Sequence, residues 1–289
     1  MARDLGHQGA GISSDAGLGV ADASGRPYAP YAVDWRFLPE EALMAKDCLR
    51  HVLVEGSNTI ARTPWLSAAW ASTLGRRPAT AVRKAGVLFV HIPKTGGTSI
   101  SKVLYRRNLP HYTARFWRAV FGPGIARLPS FAVVRHPAER LMSAYRMAVN
   151  GGTDIVAYSR FWRSRLRGLS SLESFVDFVS DQQGHWEDLP LDLWDQGAFI
   201  LDAGGGVMVD RLFSLDGRNG LSAELGQWLS AGPIPHLNAT PPSPGSATAA
   251  VCAKIVRIYE RDFALYDAIV ARGGCADLRG AAFPAPQIS

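Results

Sequence analysis

Lys94, Thr95, Gly96, Gly97, Thr98 and Ser99 follow one another inside the stretch "VLFVHIPKTGGTSI", residues 87–100. A mobile cation, two residues without side chains and three hydroxyls in one short turn are the groups needed to hold a phosphate. The apolar run at 87–90 reads as a strand and the residues after the glycines as a helix. A strand that feeds a glycine turn and then a helix aims backbone N–H groups, and the positive end of the helix, at one point. Gly96 and Gly97 let the backbone approach a ligand closely, and Pro93 stiffens the entry. The usual triphosphate loop places its lysine after the glycines; here the lysine comes first. A magnesium-dependent nucleotidase also ends a neighbouring strand on Asp. The next apolar run, "FAVVRHP", ends instead on Arg135, which repels a metal and attracts a second phosphate. "VMVD", ending at Asp210, is the acidic counterpart that remains. These features favour a nucleotide with two separate anionic ends and no metal.

Ser143 follows Arg135 by eight residues in "VVRHPAERLMSAYR". If a helix starts at Pro137, Ser143 lies almost two turns in. A guanidinium from the loop and a hydroxyl from the helix then grip one phosphate, with Arg140 one turn before Ser143.

These groups need a scaffold. "VLFV" and "PSFAVV" are short apolar runs suited to parallel strands buried on both faces, and each is followed by a helical segment. The alternation predicts an α/β fold, a P-loop-like parallel sheet flanked by helices on both faces. Ser170 with Glu173 makes a capping-box pattern for a helix through Val179. "GVMVDRLFSL" reads as a later strand, and residues 249–270 as one long amphipathic helix, broken near Arg261. Residues 1–30 have little to bury and read as disordered. A helical N-terminal extension is expected over 31–85, with helices at 39–54 and 65–74. The main domain is expected over 86–272, with a loose tail over 273–289.

Taken together the two phosphate motifs resemble the sulfotransferases, in particular the carbohydrate (family 2 type) branch. The resemblance rests on "HIPKTGGTS" at 91–99 and on Arg135, Pro137, Arg140, Ser143 and Tyr145 as R-x-P-x-x-R-x-x-S-x-Y. It continues through "WDQGAFI", "VDRLFSLD", "HLNAT" and "IYERDFALYDAI", over about residues 86–270. It implies 3′-phosphoadenosine 5′-phosphosulfate (PAPS) as co-substrate and transfer of a sulfuryl group to a carbohydrate or other hydroxylated acceptor. By the same resemblance Lys94, Thr95, Gly96, Gly97, Thr98 and Ser99 hold the 5′-phosphosulfate, and Arg135 and Ser143 the 3′-phosphate. The resemblance also implies that Asn238 and Thr240 of "HLNAT" close over the nucleotide. His136 departs from the Asp or Asn common before the proline, a position expected to cap the helix.

Such a transfer is a matter of positioning and of neutralising charge in line between two oxygens. Lys94 suits the charge on the leaving phosphate. A hydroxyl acceptor must lose a proton, and His has the appropriate intrinsic pKa. His111, in "LPHYTARFW", is the leading base because relatives carry a His in this interval. His91 has a structural reading, and His185 and Glu187 are the alternatives. Between Lys102 and Arg167 arginines outnumber acids heavily, with only Glu139 and Asp154 opposing them. That is either a solvated basic face or a surface for an anionic acceptor. Trp117, Trp162, Trp186 and Trp194 are read either as packing or as platforms for sugar rings.

Net charge is +6, which calls for an anionic partner without choosing one. No nucleic-acid-binding module accompanies the basic residues, and no nucleic-acid partner is expected. The three cysteines are scattered without metal-ligand spacing. No apolar run approaches the ~20 residues of a membrane span, and residues 1–30 lack the pattern of a signal peptide. A cytoplasmic enzyme is the expectation. The main alternative is an ATP-dependent kinase or NTPase on a related fold, which needs magnesium and an acid such as Asp210. A non-catalytic nucleotide- or glycan-binding protein is the third reading.

Overall fold

The structure, a computed structural model, describes residues 76–150, 160–166, 168–169, 171–183, 185–186, 189–216, 220–229 and 247–277. The expected N-terminal disorder, the helices at 39–54 and 65–74, Glu187, Asn238 and Thr240 lie outside the described residues.

Four strands form one mixed sheet in the order β1 (Leu88–Val90), β2 (Ser130–Val134), β3 (Arg211–Ser214) and β4 (Cys275–Asp277). The first three run parallel, and β4 is antiparallel to β3. β1 and β2 are buried at every position, as expected for parallel strands covered by helices. Phe89 pairs with Phe131 in register, their rings 4.9 Å apart, and Phe131 meets Phe213 edge-on at 5.8 Å. Trp228 of α8 (Leu221–Leu229) closes on both at 5.2 and 5.8 Å. This aromatic row is the centre of the core.

The connections follow from the caps. Helix α1 (Arg76–Ala85) buries Pro78, Ala79 and Val82 and packs on β1, on α2 (Gly97–Tyr105) and on α3 (Ala114–Phe121). The folded unit therefore starts by Arg76, ahead of the boundary expected at Gly86. Thr113 caps α3 by accepting from the Phe116 N–H at 3.2 Å. Tyr105, the last residue of α2, is buried at the start of β1. Its hydroxyl accepts from the Phe89 N–H at 2.7 Å and donates to the Val87 carbonyl at 3.1 Å. α4 (Pro137–Val149) begins at its proline as the sequence predicts, and it packs on α5 (Arg160–Leu166).

Several expectations are corrected. The capping box of α6 (Leu172–Asp181) uses Ser171 and Ser174, one residue later than the Ser170–Glu173 pattern. The Ser174 hydroxyl accepts from the Ser171 N–H at 3.3 Å, so no Glu is needed at that position. His136 occupies the N-cap position of α4 without a side-chain cap bond; its ring meets Phe263 and Tyr266 edge-on, each at 5.3 Å. The strand expected at 206–215 shrinks to Arg211–Ser214, because Val207 pairs back with Leu201, just past the short α7 (Gly197–Ile200), in an isolated bridge. Asp202 closes that turn by accepting from the N–H groups of Gly204 and Gly206 at 2.9 and 2.8 Å. The C-terminal helix divides into α9 (Ala249–Ile258) and α10 (Glu260–Val270) at Tyr259, two residues before the expected break. Tyr259 is buried there and donates to the Leu193 carbonyl at 2.7 Å. Cys275–Asp277, within the segment read as a loose tail, is strand β4.

Candidate active site

Because β1, β2 and β3 are parallel, the residues that follow them emerge at one end of the sheet. These are the loop at 91–96, Arg135, and Leu215 with Asp216. Both sequence motifs therefore converge, as their place after successive strands requires.

The loop is tightly built. Thr95 is fully buried, and its hydroxyl donates to the Ile92 carbonyl at 2.9 Å. That hydroxyl is spent inside the loop, and Thr95 offers a ligand its backbone only. Gly96 has φ 75° and Lys94 φ 68°. The glycine adopts this left-handed form freely, whereas the lysine carries strain of roughly 1 kcal/mol. A Cβ on Gly97 would lie 2.1 Å from the His91 ring and 2.9 Å from Phe89. Only glycine lets α2 start against that packed wall. Ser99 is buried in the first turn of α2, and Thr98 is partly exposed.

Helix α4 brings the second group of residues. Arg140 and Ser143 are buried one turn apart. The Arg140 Nε donates to the Pro93 carbonyl at 3.0 Å and so ties α4 to the phosphate loop. One turn beyond Ser143, Met147 takes a 3.1 Å contact from the Lys94 ammonium. A thioether is a weak acceptor, so this contact holds the lysine loosely. Arg135 lies 3.5 Å from Glu139 on the same helix.

The electrostatics identify a cluster. Burial pushes the Lys94 ammonium below its ordinary pKa; Asp192 partly offsets this, and Arg135, Arg140 and Arg146 lower it further. Arg135 is likewise lowered by burial, with Asp216 and Glu139 opposing and Arg146 and Arg140 adding. Among the described residues, Arg135 Nε, a terminal nitrogen of Arg140 and Arg146 Nε are buried without a hydrogen-bond partner. Leaving buried charged donors unsatisfied costs about 1–3 kcal/mol each. Three such donors gather beside the half-buried Lys94. Arg146, Asp192 and Asp216 were not singled out in the sequence. Arg146 was recoverable, since it lies one turn past Ser143 on α4.

The candidate bases separate by position. His111 Nδ1 lies 3.0 Å from the carbonyl of His91, three residues before Lys94. A ring nitrogen facing a carbonyl must carry the proton, so neutral His111 bears its lone pair on Nε2. Its ring lies 4.1 Å from that of His91. His91 is held well below its ordinary pKa, first by burial and then by His111, with the Leu109 backbone opposing. A histidine so disposed is neutral packing under the loop. His185 is exposed in the turn after α6, its N–H donating to Gln182.

Asp210 is not where the magnesium-dependent alternative requires it. It precedes β3, and Asp210 Oδ2 accepts from the Ser130 N–H at 2.8 Å and its hydroxyl at 2.7 Å. Ser130 begins β2, so Asp210 sits at the opposite end of the sheet from the loop, four strand residues or roughly 13 Å away. Among the acids at the loop end, Asp216 lies two residues past the end of β3 and accepts from the Tyr266 hydroxyl at 3.3 Å and the His136 N–H at 3.5 Å. Among the described residues no group of three or more His, Cys, Asp or Glu is arranged to hold a metal ion.

On the acceptor side, Trp117, Trp162 and Trp194 are buried and belong to packing. Trp186 is half-buried and stacks on Tyr259 at 5.9 Å. No helix of the described residues is long and apolar enough to cross a membrane.

No curated protein and no solved structure matches the chain. Residues 78–196, about two fifths of the chain, match the model of the Sulfotransferase family. The matched span holds the phosphate loop, His111, Arg135 and the whole of α4, and it ends at Gln196. "VDRLFSLD", "HLNAT" and "IYERDFALYDAI" lie beyond it. Over the stretch that builds this end of the sheet, the chain is similar to the sulfotransferases.

Proposed function

We propose that the protein is a sulfotransferase that moves the sulfuryl group of PAPS to a hydroxyl of a carbohydrate or glycoconjugate, without a metal. The observation that supports this reading best is the set of buried, unpartnered guanidinium nitrogens of Arg135, Arg140 and Arg146 gathered beside Lys94. That donor set fits a nucleotide with two anionic groups. When bound, PAPS supplies a sulfuryl group already activated by its phosphate leaving group.

The chain's own residues supply the rest. The N–H groups from Lys94 to Ser99, with the Thr98 and Ser99 hydroxyls, hold the 5′ end. Arg135 and Ser143 hold the 3′-phosphate. By the family resemblance of "HLNAT", Asn238 and Thr240 are also assigned to the nucleotide. Lys94 neutralises the charge that grows on the leaving phosphate; its weak contact with the Met147 thioether is readily exchanged for one with the ligand. His111 Nε2 accepts the proton of the incoming hydroxyl.

The ATP-dependent alternative is not favoured, because Asp210 is committed to Ser130 at the far end of the sheet. The test is incubation of chelator-treated protein with labelled PAPS and a panel of glycans, glycolipids and small hydroxylated metabolites. Label should reach a glycan, and Lys94→Ala should slow transfer by roughly 10²–10³-fold. Magnesium-dependent ATP turnover with no transfer from PAPS would overturn the reading.

A further inference from the structure

Arg135 is the first residue past β2, and at that point the ladder ends. The last rung on this side is the Leu215 N–H donating to the Val134 carbonyl at 2.8 Å. The peptide groups of Arg135 have no neighbouring strand. The side chain of Gln196 takes its place: Oε1 accepts from the Arg135 N–H at 3.0 Å, and Nε2 donates to the Arg135 carbonyl at 2.9 Å. The amide can face only one way, since a flip would set donor against donor and acceptor against acceptor.

Gln196 is itself held. It is fully buried, and its N–H donates to both carboxylate oxygens of Asp262, at 2.9 and 2.8 Å. The Gly197 N–H donates to the same carboxylate at 3.1 Å. Asp262 is completely buried on α10. Its neighbour Arg261 pairs with Asp195 and leaves no room for a Cβ on Gly197, which would lie 2.8 Å from Arg261 Nε. Two consecutive residues of α10 thus grip three consecutive residues, 195–197, and the middle one grips Arg135. An apolar side chain at 196 would fill the same volume. What the amide adds is a fixed orientation for one peptide, and hence for the direction in which the Arg135 side chain leaves the sheet.

We propose that Gln196, held by Asp262, is a positioning residue for Arg135 and sets the preference for a nucleotide that carries a second, 3′-phosphate. This rests on the reading of Arg135 as the 3′-phosphate ligand. Clamping the peptide on both sides fixes the side chain's origin before the ligand arrives, so the ordering cost is met on folding rather than on binding.

The experiment compares binding of 3′-phosphoadenosine 5′-phosphate and of AMP by calorimetry in the full chain, with unfolding temperature measured alongside. Wild-type protein should prefer the bisphosphate strongly. Gln196→Leu, which loses both bonds, should lower that preference roughly tenfold, with AMP affinity within about twofold of wild type. Gln196→Glu keeps the size and the acceptor for the Arg135 N–H, and it should lose less. A protein that is merely misfolded loses both nucleotides together, so the ratio is its own control. Asp262→Asn, which keeps one acceptor, serves as a second route should Gln196→Leu not fold, and should cost the preference a few-fold. An unchanged ratio in the folded variants overturns the clamp and leaves the reading of Arg135 standing. A wild-type protein that binds the two nucleotides equally overturns the reading of Arg135, and the clamp's role with it.

Discussion

The two ends of the parallel strands both carry positive charge, and they treat it differently. From Arg76 to Ala138 there is no acidic residue at all. At the start of the strands Lys84, Lys102, Arg106, Arg107 and Arg127 are exposed. The bonds of Tyr105 and of Leu88 to the Pro129 carbonyl show that the ends of α2 and of the β1–β2 connection meet there. At the other end Arg135, Arg140 and Arg146 each hold a buried nitrogen without a partner, and burial depresses Lys94. Water satisfies the first set. No acceptor among the described residues reaches those three buried nitrogens. A count of arginines does not distinguish the ends; burial without a partner does, because only there does a bound anion recover a desolvation cost already incurred.

The comparison breaks most sharply at Arg140. Arg140→Ala should remove the tie to Pro93, weaken both 3′-phosphoadenosine 5′-phosphate and AMP by about 100-fold, and destabilise the fold by about 3 kcal/mol. Arg140→Lys should rescue little, since one ammonium cannot reproduce the fork. Wild-type affinity in Arg140→Ala would show that burial is not what makes this end a ligand site. Next in size, Arg135→Ala should cost the bisphosphate ten- to a hundredfold while sparing AMP. Equal loss of both would contradict its assignment.

A smaller effect is expected from Asp262, whose carboxyl is pushed up to about 6 by burial and by Asp195, against Arg140 and the Gln196 and Gly197 N–H groups. The native protein therefore holds this proton at pH values where the unfolded chain, at its ordinary 3.8, has lost it. This group's contribution favours folding as pH falls from about 6 towards 4. In urea titrations, wild-type protein should gain on the order of 1–2 kcal/mol relative to Asp262→Asn over that window. A difference that is flat with pH would contradict it. The smallest effect is predicted at the exposed end. Lys102→Glu with Arg106→Glu should change nucleotide affinity by no more than about twofold at physiological salt, where screening acts over roughly 8 Å. A larger change would mean that the field of the whole basic surface draws the ligand in.

The loop and the start of α4 were legible in the sequence because their information is local. A lysine, two glycines and a proline within a few residues dictate a strand, turn and helix almost without help. The position of Asp210 was not legible. "VMVD" has the look of a strand ending in an acid, yet the pairing begins after it, and the register depends on Ser130, eighty residues away in the chain. Gln196 was hidden for the same reason. Its partners are Arg135 and Asp262, both more than sixty residues distant, and no pattern around a lone glutamine announces a contact across that span. Tryptophans 117, 162 and 194 fell to packing because all three are buried, Trp117 against Tyr112, Phe116 and Phe121 and Trp194 against Phe199. Arg146 was within reach of a helical projection of α4, which sets it one turn from Ser143.

Tyr105 shows what a side chain borrowed as a strand can do beyond fixing a helix. Among the described residues β1 is an outer strand of the sheet, and outer strands recruit other chains through bare N–H and carbonyl groups. With one hydroxyl taking the Phe89 N–H and giving to the Val87 carbonyl, two rungs are closed before any neighbour can use them. The same tyrosine that ends α2 thereby makes this border a poor template for self-association, and a loss of that single oxygen would change how the protein behaves in crowded solution before it changed any chemistry.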